Sequence, residues 1–232
     1  MITIRRSDER GGTSIDWLTS KHSFSFGDYY DPANESFGPL RVINEDWIKG
    51  GAGFPPHPHR DMEIVTYILE GAISHRDSSG GGGTIRPGEI QRMSAGHGIT
   101  HAEFNASASE TCHLLQIWIM PSKKGIVPGY EQKMIDAKAV HNHFARIAAP
   151  EPVANEVRLV QDAEIWAAKL EADVEAIHSL SPGRKAWLQV ARGDVTVDGQ
   201  TLAAGDAAAI TDQESIAVRS LTAAEVLLFD LG

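Results

Sequence analysis

The segment Gly51–Gly71 reads GAGFPPHPHRDMEIVTYILEG and joins a His-x-His pair to a run of residues typical of a buried strand. The run Glu63–Leu69 is short, rich in β-branched and aromatic residues, and followed by glycine, which favours a strand over a helix. Because residues two apart in a strand project to the same face, His57 and His59 point in the same direction. The segment therefore predicts a β protein in which two imidazoles share one surface.

Strand-like runs of the same kind recur along the rest of the chain, separated by turn-forming pairs such as Pro87-Gly88 and Asp198-Gly199. The other runs are Leu114–Met120, Ala186–Val190, Asp194–Val197 and Glu225–Phe229. Many short strands with regular turns indicate an all-β barrel or sandwich. One short helix is expected at Asp162–Ala168 (DAEIWAA), where alanine and the apolar spacing favour it.

A weak internal repeat relates Tyr67–Gly96 to Leu188–Asp212. Each copy has an apolar strand, a glycine, a second strand, and then a glycine followed by an acid. The first copy is longer by about the length of the glycine-rich tract Ser78–Gly83, which we interpret as a mobile hairpin tip. Two copies of one β-unit predict two domains, residues 1–137 and residues 138–232.

Charge and composition narrow the class of protein. The 232 residues include 21 Lys and Arg against 31 Asp and Glu, a net charge of −10, which argues against a nucleic-acid-binding protein with a basic patch. A content of 42% hydrophobic residues is ample for a packed core. The sequence has neither the apolar region of a signal peptide nor a run of about 18 apolar residues, so we expect a cytoplasmic protein without a membrane partner.

The contents of cysteine and histidine indicate that a bound metal ion would have nitrogen and oxygen ligands. A single cysteine, Cys112, excludes an intrachain disulfide and a zinc site built mainly from thiolates. The chain has ten histidines, and imidazole suits iron, zinc, copper and nickel. The lone thiol also agrees with the cytoplasm as the compartment.

A second group of candidate ligands lies in Gly96–Asn105, which reads GHGITHAEFN. His101 and Glu103 share one strand face in the same way as the His-x-His pair. If the two strands face each other in a small barrel, three imidazoles and one carboxylate surround a single point. Four protein ligands leave two adjacent positions of an octahedral ion open, and an open site indicates chemistry rather than structure. Glu63, four residues after His59, competes as the carboxylate ligand, and its alternative role is to orient a ligand imidazole through a hydrogen bond.

The remaining histidines are interpreted differently. His141 and His143 repeat the His-x-His spacing in an irregular segment without a second acid pair, and we interpret them as solvated. Three others are expected to be packed or hydrogen-bonded: His75, His97 and His113. The second repeat has no histidine, so the C-terminal barrel is predicted to be a structural or interface partner, and one metal ion is expected per chain.

Two motifs connect the chain to a known family. Gly51, His57, His59 and Glu63 have the spacing of the first motif of the cupin superfamily, and Gly98–Asn105 resembles the second. Longer stretches are similar to the pirin family of bicupins, most strongly within residues 1–135. They are HSFSFGDYYDP (His22–Pro32), FPPHPHRDMEIVTYILEG (Phe54–Gly71), AGHGITHAEFN (Ala95–Asn105) and LQIWIMPSKKGIVPGYEQ (Leu115–Gln132). The chain length and the ending EVLLFDL resemble the bacterial, quercetinase-type members.

The resemblance implies an all-β bicupin fold: two double-stranded β-helix (jelly-roll) barrels with a few short helices, of which the N-terminal barrel binds one divalent metal ion. Carried over by motif position, the ligands are His57, His59, His101 and Glu103, which favours Glu103 over Glu63. Iron(II) is the ion that the family implies. The same ligand types also accept zinc, manganese, cobalt, nickel and copper.

The resemblance also implies a function. Bacterial members are similar to enzymes with quercetin 2,3-dioxygenase activity, so the expected reaction opens the heterocycle of a flavonol-like substrate with dioxygen and releases carbon monoxide, with Glu103 as the catalytic base. Eukaryotic pirins are nuclear transcriptional cofactors, which implies an alternative: a metal- and redox-dependent regulator that binds a protein partner without turnover. A structural barrel with a closed metal site is a third hypothesis. The acidic charge balance and the bacterial form favour the enzyme.

Overall fold

The computed structural model describes all residues, 1–232, and almost all of its regular structure is β. The first eleven strands are β1 (Ile2–Arg5), β2 (Gly11–Ser14), β3 (Leu18–His22), β4 (Leu40–Ile48), β5 (Gly53–His59), β6 (Glu63–Glu70), β7 (Ile73–Asp77), β8 (Gly82–Ile85), β9 (Glu89–Ser94), β10 (Ile99–Asn105) and β11 (Cys112–Ile119). The next eleven are β12 (Gly129–Met134), β13 (Ala145–Ala149), β14 (Val157–Arg158), β15 (Ala163–Leu170), β16 (Glu175–Ser179), β17 (Lys185–Arg192), β18 (Val195–Val197), β19 (Gln200–Leu202), β20 (Ala207–Ile210), β21 (Ser215–Ser220) and β22 (Ala224–Leu231). The helical content is a single 3-10 turn, Ser7–Glu9.

These strands form two compact units that interleave along the sequence. The unit that we call the N-terminal barrel comprises residues 11–134 and 157–161. The C-terminal barrel comprises residues 1–10, 135–156 and 162–232. The contiguous ranges 1–137 and 138–232 therefore need correction, because β1 pairs with β20 and places the first residues in the C-terminal barrel.

Two antiparallel sheets make up the N-terminal barrel. The larger has the strand order β12-β9-β6-β11-β4-β3-β2, and the smaller has the order β5-β10-β7-β8. Strands β6 and β11 are buried along nearly their whole length, as the continuous apolar runs predict. In β10, burial alternates with exposure, so that His101 and Glu103 face the interior together with Ile99 and Asn105.

The polar interior of this barrel lies between two apolar clusters. The larger cluster consists of Leu18, Ile48, Ile68, Ile73, Ile85, Cys112 and Leu114. The smaller consists of Ile64, Met93, Ala95 and Ile99. Along β6, Thr66 stands between Ile64 of one cluster and Ile68 of the other, and it pairs with Gln116 of β11. Burial of apolar side chains on both sides therefore holds a short polar section of the sheet in place.

The C-terminal barrel repeats the same plan. Its smaller sheet has the order β16-β21-β18-β19, which reproduces the pairing of β5-β10-β7-β8. Its larger sheet includes β1, β20, β17, β22, β15 and β13 as successive neighbours. The corresponding pairings confirm the two copies of one β-unit that the internal repeat predicted, and the all-β bicupin class with them.

The predicted helix at Asp162–Ala168 is wrong, because this segment forms most of β15. Strand β15 pairs with both β13 and β22, and alternate side chains from Ala163 to Ala167 are buried. Hydrogen bonds to the neighbouring strands on both sides, together with burial of every second side chain, outweigh the intrinsic helix preference of alanine. The glycine-rich tract is a hairpin tip as predicted: it joins β7 to β8, and Gly80 has a φ of +89°, which glycine adopts without strain.

Candidate metal centre

Three of the four predicted ligands converge because β5 and β10 are neighbours. The two strands pair antiparallel, with His101 opposite His57 and Ile99 opposite His59. The ligand atoms of the three histidines all lie within 4.8 Å of one another. The geometry differs from the expectation in one respect: the strands do not face each other across the barrel but are hydrogen-bonded in one sheet.

The prolines around the first histidine pair suit the position of β5 at the edge of the smaller sheet. Proline cannot donate to a ladder and is therefore confined to edge strands and bulges. The register shifts between His101 and Glu103, so that Glu103 lies opposite Phe54 and the irregularity falls at Pro55 and Pro56. This bulge sets the spacing of the imidazoles relative to the carboxylate on β10.

The tautomer of His57 is fixed by the backbone. Its Nδ1 lies 2.8 Å from the carbonyl oxygen of Pro55, which can only accept a hydrogen bond. Nδ1 therefore carries the proton, and Nε2 presents a lone pair. That Nε2 lies 3.0 Å from Nε2 of His101. Two imidazole nitrogens bound at about 2.1 Å and at right angles around one ion are about 3.0 Å apart, so this pair fits a divalent transition metal.

Burial keeps two of the three histidines neutral and ready to bind a cation. Burial, followed by the neighbouring histidines, lowers the pKa of His101 to about 2. The pKa of His59 falls to about 4 for the same reasons, burial first and His57 second. Both imidazoles are therefore unprotonated at pH 7, which is the form that binds a metal ion.

Glu103 lies in the interior beside His101 and is not part of the group of ligand atoms that lie within 4.8 Å of one another. Its Oε2 is 3.8 Å from Nε2 of His101, and Gln116 donates from Nε2 to both carboxylate oxygens, at 3.1 and 2.9 Å. Thr66 donates to Oε1 of Gln116 at 2.9 Å, which fixes the direction of that amide. Burial raises the pKa of Glu103 to about 7, against the hydrogen bond from Gln116 and with a further contribution from Asp46.

Glu63, the competing carboxylate, does not lie on the strand of His59. β5 ends at His59, and Glu63 begins β6 in the other sheet. The carboxylate is buried and accepts a hydrogen bond from the backbone nitrogen of Val160 at 3.3 Å. Burial raises its pKa, while Ser94 and Arg92 act in the opposite direction. The contacts of Glu63 are therefore with residues outside the histidine cluster.

A cavity of about 230 Å³ opens beside the cluster and is lined by His57, His59 and Glu103 among others. Its apolar wall consists of Leu18, Phe26, Phe54 and Trp118. Its polar wall consists of Thr13, Ser20, His22, Asn44, Asp46 and Gln116. Trp118 meets the ring of His59 edge-on at a centroid distance of 4.9 Å and that of Phe26 at 5.4 Å. A flat aromatic molecule of modest size fits such walls.

Sequence reasoning missed two polar residues in this cavity, Asp46 and Gln116. Asp46 is fully enclosed and accepts a hydrogen bond from Ser20, and burial raises its pKa to about 7. Asp46 ends the polar run Asn44–Asp46 within the largely buried strand β4, and Gln116 lies between the apolar residues Leu115 and Ile117 in β11. A polar side chain in the middle of a buried strand was the available signal, since such groups are costly unless they have partners.

The other histidines divide into hydrogen-bonded and exposed ones. His75 lies in β7 with its Nε2 3.1 Å from Nδ1 of His101, and His113 lies 2.9 Å from Glu45. Both agree with the prediction of hydrogen-bonded histidines. His97 is exposed, so the prediction of a packed or hydrogen-bonded side chain is not met there; its carbonyl oxygen accepts from Arg60 at 3.0 Å. His141 and His143 are exposed, as expected.

The C-terminal barrel has a cleft of about 470 Å³ with a different chemistry. His178 lies on β16, which corresponds in sheet order to β5, and its Nε2 is 2.9 Å from Oδ2 of Asp230. Arg184 donates to the other carboxylate oxygen of Asp230 and, at 2.8 Å, to Asp162. An ion-pair network therefore occupies the region that corresponds to the histidine cluster.

Comparison with known proteins places the chain in a family. The sequence profile of the Pirin family matches residues 3–119, and that of the quercetinase C-terminal cupin domain matches residues 146–231. The chain belongs to the pirin family. The match to two successive profiles confirms the predicted resemblance and agrees with the two barrels of the structure.

Several pirin relatives match the whole chain. The chain is 44% identical over 231 residues to a quercetin 2,3-dioxygenase of Escherichia coli strain K12, covering 100% of this chain and 99% of the relative. It is 41% identical over 231 residues to a pirin-like protein of Caulobacter vibrioides, covering 99% of each. No helix of the structure has the length and apolar character needed to cross a membrane.

Two solved structures of the Escherichia coli pirin YhhW closely match the fold. One superimposes with a TM-score of 0.96 at 44% identity, covering 100% of this chain and 98% of that chain. The other is YhhW in complex with nickel(II), with a TM-score of 0.94 at 43% identity, covering 100% and 99%. A pirin of this architecture therefore binds a divalent transition metal ion.

Proposed function

We propose that this pirin is a metal-dependent dioxygenase of the quercetin 2,3-dioxygenase type. The observation that carries the proposal is the convergence of three imidazoles within 4.8 Å beside a partly aromatic cavity. The full-length similarity to an enzyme named for this activity and the nickel(II) complex of YhhW support it. The substrates are a flavonol-like molecule and dioxygen.

The proposed ligands are His57, His59, His101 and Glu103. The separation of 3.0 Å between two Nε2 atoms and the neutral state of His59 and His101 fit a divalent ion. We propose iron(II) as the ion, and nickel(II) fits the same donors. When bound, the ion supplies Lewis acidity that lowers the pKa of a substrate hydroxyl.

The cavity supplies binding and orientation. Phe26, Phe54 and Trp118 form flat apolar walls that hold an aromatic ring system and exclude water.

Glu103 is the proposed general base. A base works best when its pKa lies near the operating pH, and in the absence of an ion burial raises the pKa of this carboxyl to about 7. Because Glu103 is also a proposed ligand, it would leave the ion to take the proton of the flavonol 3-hydroxyl, and the hydrogen bonds from Gln116 would then hold the carboxylate in position. The electron-rich enolate then reacts with dioxygen, both oxygen atoms enter the ring-opened product, and one ring carbon leaves as carbon monoxide.

An anaerobic titration of the iron(II)-loaded protein with quercetin tests this proposal. We expect the absorption band of quercetin to shift on binding, and admission of air to consume quercetin with release of carbon monoxide. A shift without turnover in air would contradict the enzyme and favour the metal-dependent regulator. Absence of a shift would indicate that the metal site is closed to the flavonol.

A further inference from the structure

His75 is the one histidine outside the proposed ligand set that contacts a member of it directly. It lies at the centre of β7, which pairs with β10 on the side opposite β5, and it stands across from Glu103. The residue is 4% exposed, and its Nε2 is 3.1 Å from Nδ1 of His101. The imidazoles of His57, His101 and His75 therefore form a continuous chain of contacts from β5 to β7.

The direction of the hydrogen bond follows from the orientation of His101. Its Nε2 faces the Nε2 of His57 within the cluster. When the proposed metal site holds an ion, both Nε2 atoms offer it a lone pair, so the neutral imidazole of His101 carries its one proton on Nδ1. That proton points at Nε2 of His75, which accepts it. The proton of His75 is then on its own Nδ1.

The surroundings of His75 do not explain a histidine by packing alone. Its ring stacks on Tyr130 at a centroid distance of 5.0 Å and an interplanar angle of 12°, which a phenylalanine would also do. Its Nδ1 is buried without a hydrogen-bond partner. An unpaired buried nitrogen destabilises the folded state, so Nδ1 gives no reason for a histidine at this position. The reason lies in the other nitrogen, Nε2, which is directed at His101.

We propose that His75 is a positioning residue for the metal centre: its Nε2 accepts the proton of His101 Nδ1 and directs the lone pair of His101 Nε2 at the ion. Metal-binding histidines depend on such a partner, which fixes the tautomer and the ring orientation. The inference rests on the proposed metal site but not on the proposed reaction. It adds one residue to the four that the sequence motifs single out.

Nickel(II) affinity measured by isothermal titration calorimetry tests the proposal. His75→Phe keeps the ring stacked on Tyr130 but removes the acceptor, and we expect nickel(II) to bind about 10- to 100-fold more weakly. His75→Gln retains an acceptor at the end of the side chain and should recover most of the affinity. His113→Gln is the matched control, since His113 bonds to Glu45 and stacks on Trp47 elsewhere in the barrel. Unchanged affinity in a folded His75→Phe variant would overturn the proposal.

A second measurement needs no substitution and applies even if His75→Phe does not fold. In the ¹⁵N-labelled protein loaded with diamagnetic zinc(II), we expect the His101 proton on Nδ1, with a nitrogen–nitrogen coupling through the hydrogen bond to Nε2 of His75. Absence of this coupling, or a proton on Nε2 of His75, would overturn the proposal. Failure of the unsubstituted protein to bind any metal would instead contradict the proposed function, so the two failures are distinguishable.

Discussion

At the scale of single residues, the site depends on three imidazoles that differ in burial. His59 is only partly buried and packs against Trp118 and the two other cluster histidines. Substitution of His59 by alanine removes a ligand but leaves no cavity in the apolar core. The effect on metal binding can therefore be measured with less effect on folding than at the buried His101.

For His59→Ala, we expect loss of bound metal and of flavonol turnover together, with the fold intact. Metal content per chain, measured by elemental analysis of protein purified with excess iron(II) or nickel(II), checks this outcome. His141→Ala is the control, because His141 belongs to an exposed His-x-His pair and should leave metal content unchanged. Full metal content in the His59→Ala protein would contradict the assignment.

The two candidate carboxylates are separated by a matched pair of substitutions. Glu103→Gln preserves size and burial but removes the base, and we expect kcat for quercetin to fall by about 10²- to 10⁴-fold. Glu63→Gln should change kcat little, because Glu63 contacts Val160 rather than the cluster. Steady-state kinetics of both variants at equal metal occupancy provide the measurement. An equal loss in Glu63→Gln would argue for Glu63 as the functional carboxylate.

The three histidines of the cluster could be predicted from the sequence because a spacing of two residues on each of two strands is visible without a structure. Spacing alone did not decide whether Glu63 or Glu103 is the carboxylate ligand. Only the family resemblance favoured Glu103. The partners of the cluster, His75 and Gln116, could not be assigned from the sequence. His75 comes next to β10 through the pairing of β7 with β10, and Gln116 reaches Glu103 from β11 in the other sheet. Such pairings are a property of the folded sheet.

At the scale of elements, the close approach of β5 and β10 is what sets the site. Gly53 begins β5 opposite Phe104, and a Cβ at this position would overlap the carbonyl oxygen of Glu103 and the Cα of Phe104. Only a residue without a side chain allows the two strands to pair at this distance. The site is therefore sensitive to a change that touches no ligand.

For Gly53→Ala, we expect a loss of stability of about 1–3 kcal/mol, as for overpacking, together with weaker nickel(II) binding. Gly80→Asn is the control: a Cβ there meets nothing within 4 Å, and asparagine tolerates a positive φ. Thermal unfolding and calorimetric nickel(II) titration of both variants measure the two effects. Tight nickel(II) binding by a folded Gly53→Ala protein would show that the strand spacing is not critical.

Strand prediction succeeded where apolar runs were continuous and failed at β15. The segment DAEIWAA is compatible with a helix by composition, and nothing local shows that β13 and β22 will flank it. Its alternation of buried and less buried residues matches a strand, but helix and strand patterns are ambiguous in short apolar segments. The neighbouring strands decide the outcome.

At the scale of the whole molecule, the two barrels share a plan but differ in their interior chemistry. The domain boundaries could be predicted only approximately, since the pairing of β1 with β20 joins residues at opposite ends of the chain. The absence of histidine from the second repeat was visible in the sequence, whereas the ion-pair network around Asp230 was not. His178 and Asp230 are 52 residues apart and meet only through the fold.

The network around Asp230 predicts acid sensitivity of the C-terminal barrel. Burial alone would raise the pKa of Asp230, but hydrogen bonds from His178 and Arg184 outweigh it and lower the pKa below its ordinary value of 3.8. A lowered carboxyl pKa contributes stability above the unfolded-state pKa of about 3.9, and this stability is lost as the pH falls through the folded-state pKa. Stability should therefore decrease on acidification below about pH 4.

For Asp230→Asn, we expect a loss of about 3 kcal/mol at pH 7, because Arg184 and His178 lose a buried partner. The difference from the unsubstituted protein should narrow below about pH 4, where the carboxylate becomes protonated. Asp173→Asn is the control, since Asp173 forms an exposed pair with Arg219 worth at most about 1 kcal/mol. Urea unfolding at pH 7 and at a pH below about 4 measures these differences in the free energy of unfolding. A difference that does not change with pH would contradict the role of the network.

The proposed function requires that the three-histidine centre opens a flavonol ring with dioxygen. The most direct test is single-turnover reaction of the iron(II)-loaded protein with quercetin and ¹⁸O₂, with carbon monoxide and the product measured together. We expect one carbon monoxide per quercetin consumed and both ¹⁸O atoms in the ring-opened product, with neither seen in the His59→Ala protein. Consumption of quercetin without carbon monoxide, or equal turnover by the His59→Ala protein, would contradict it.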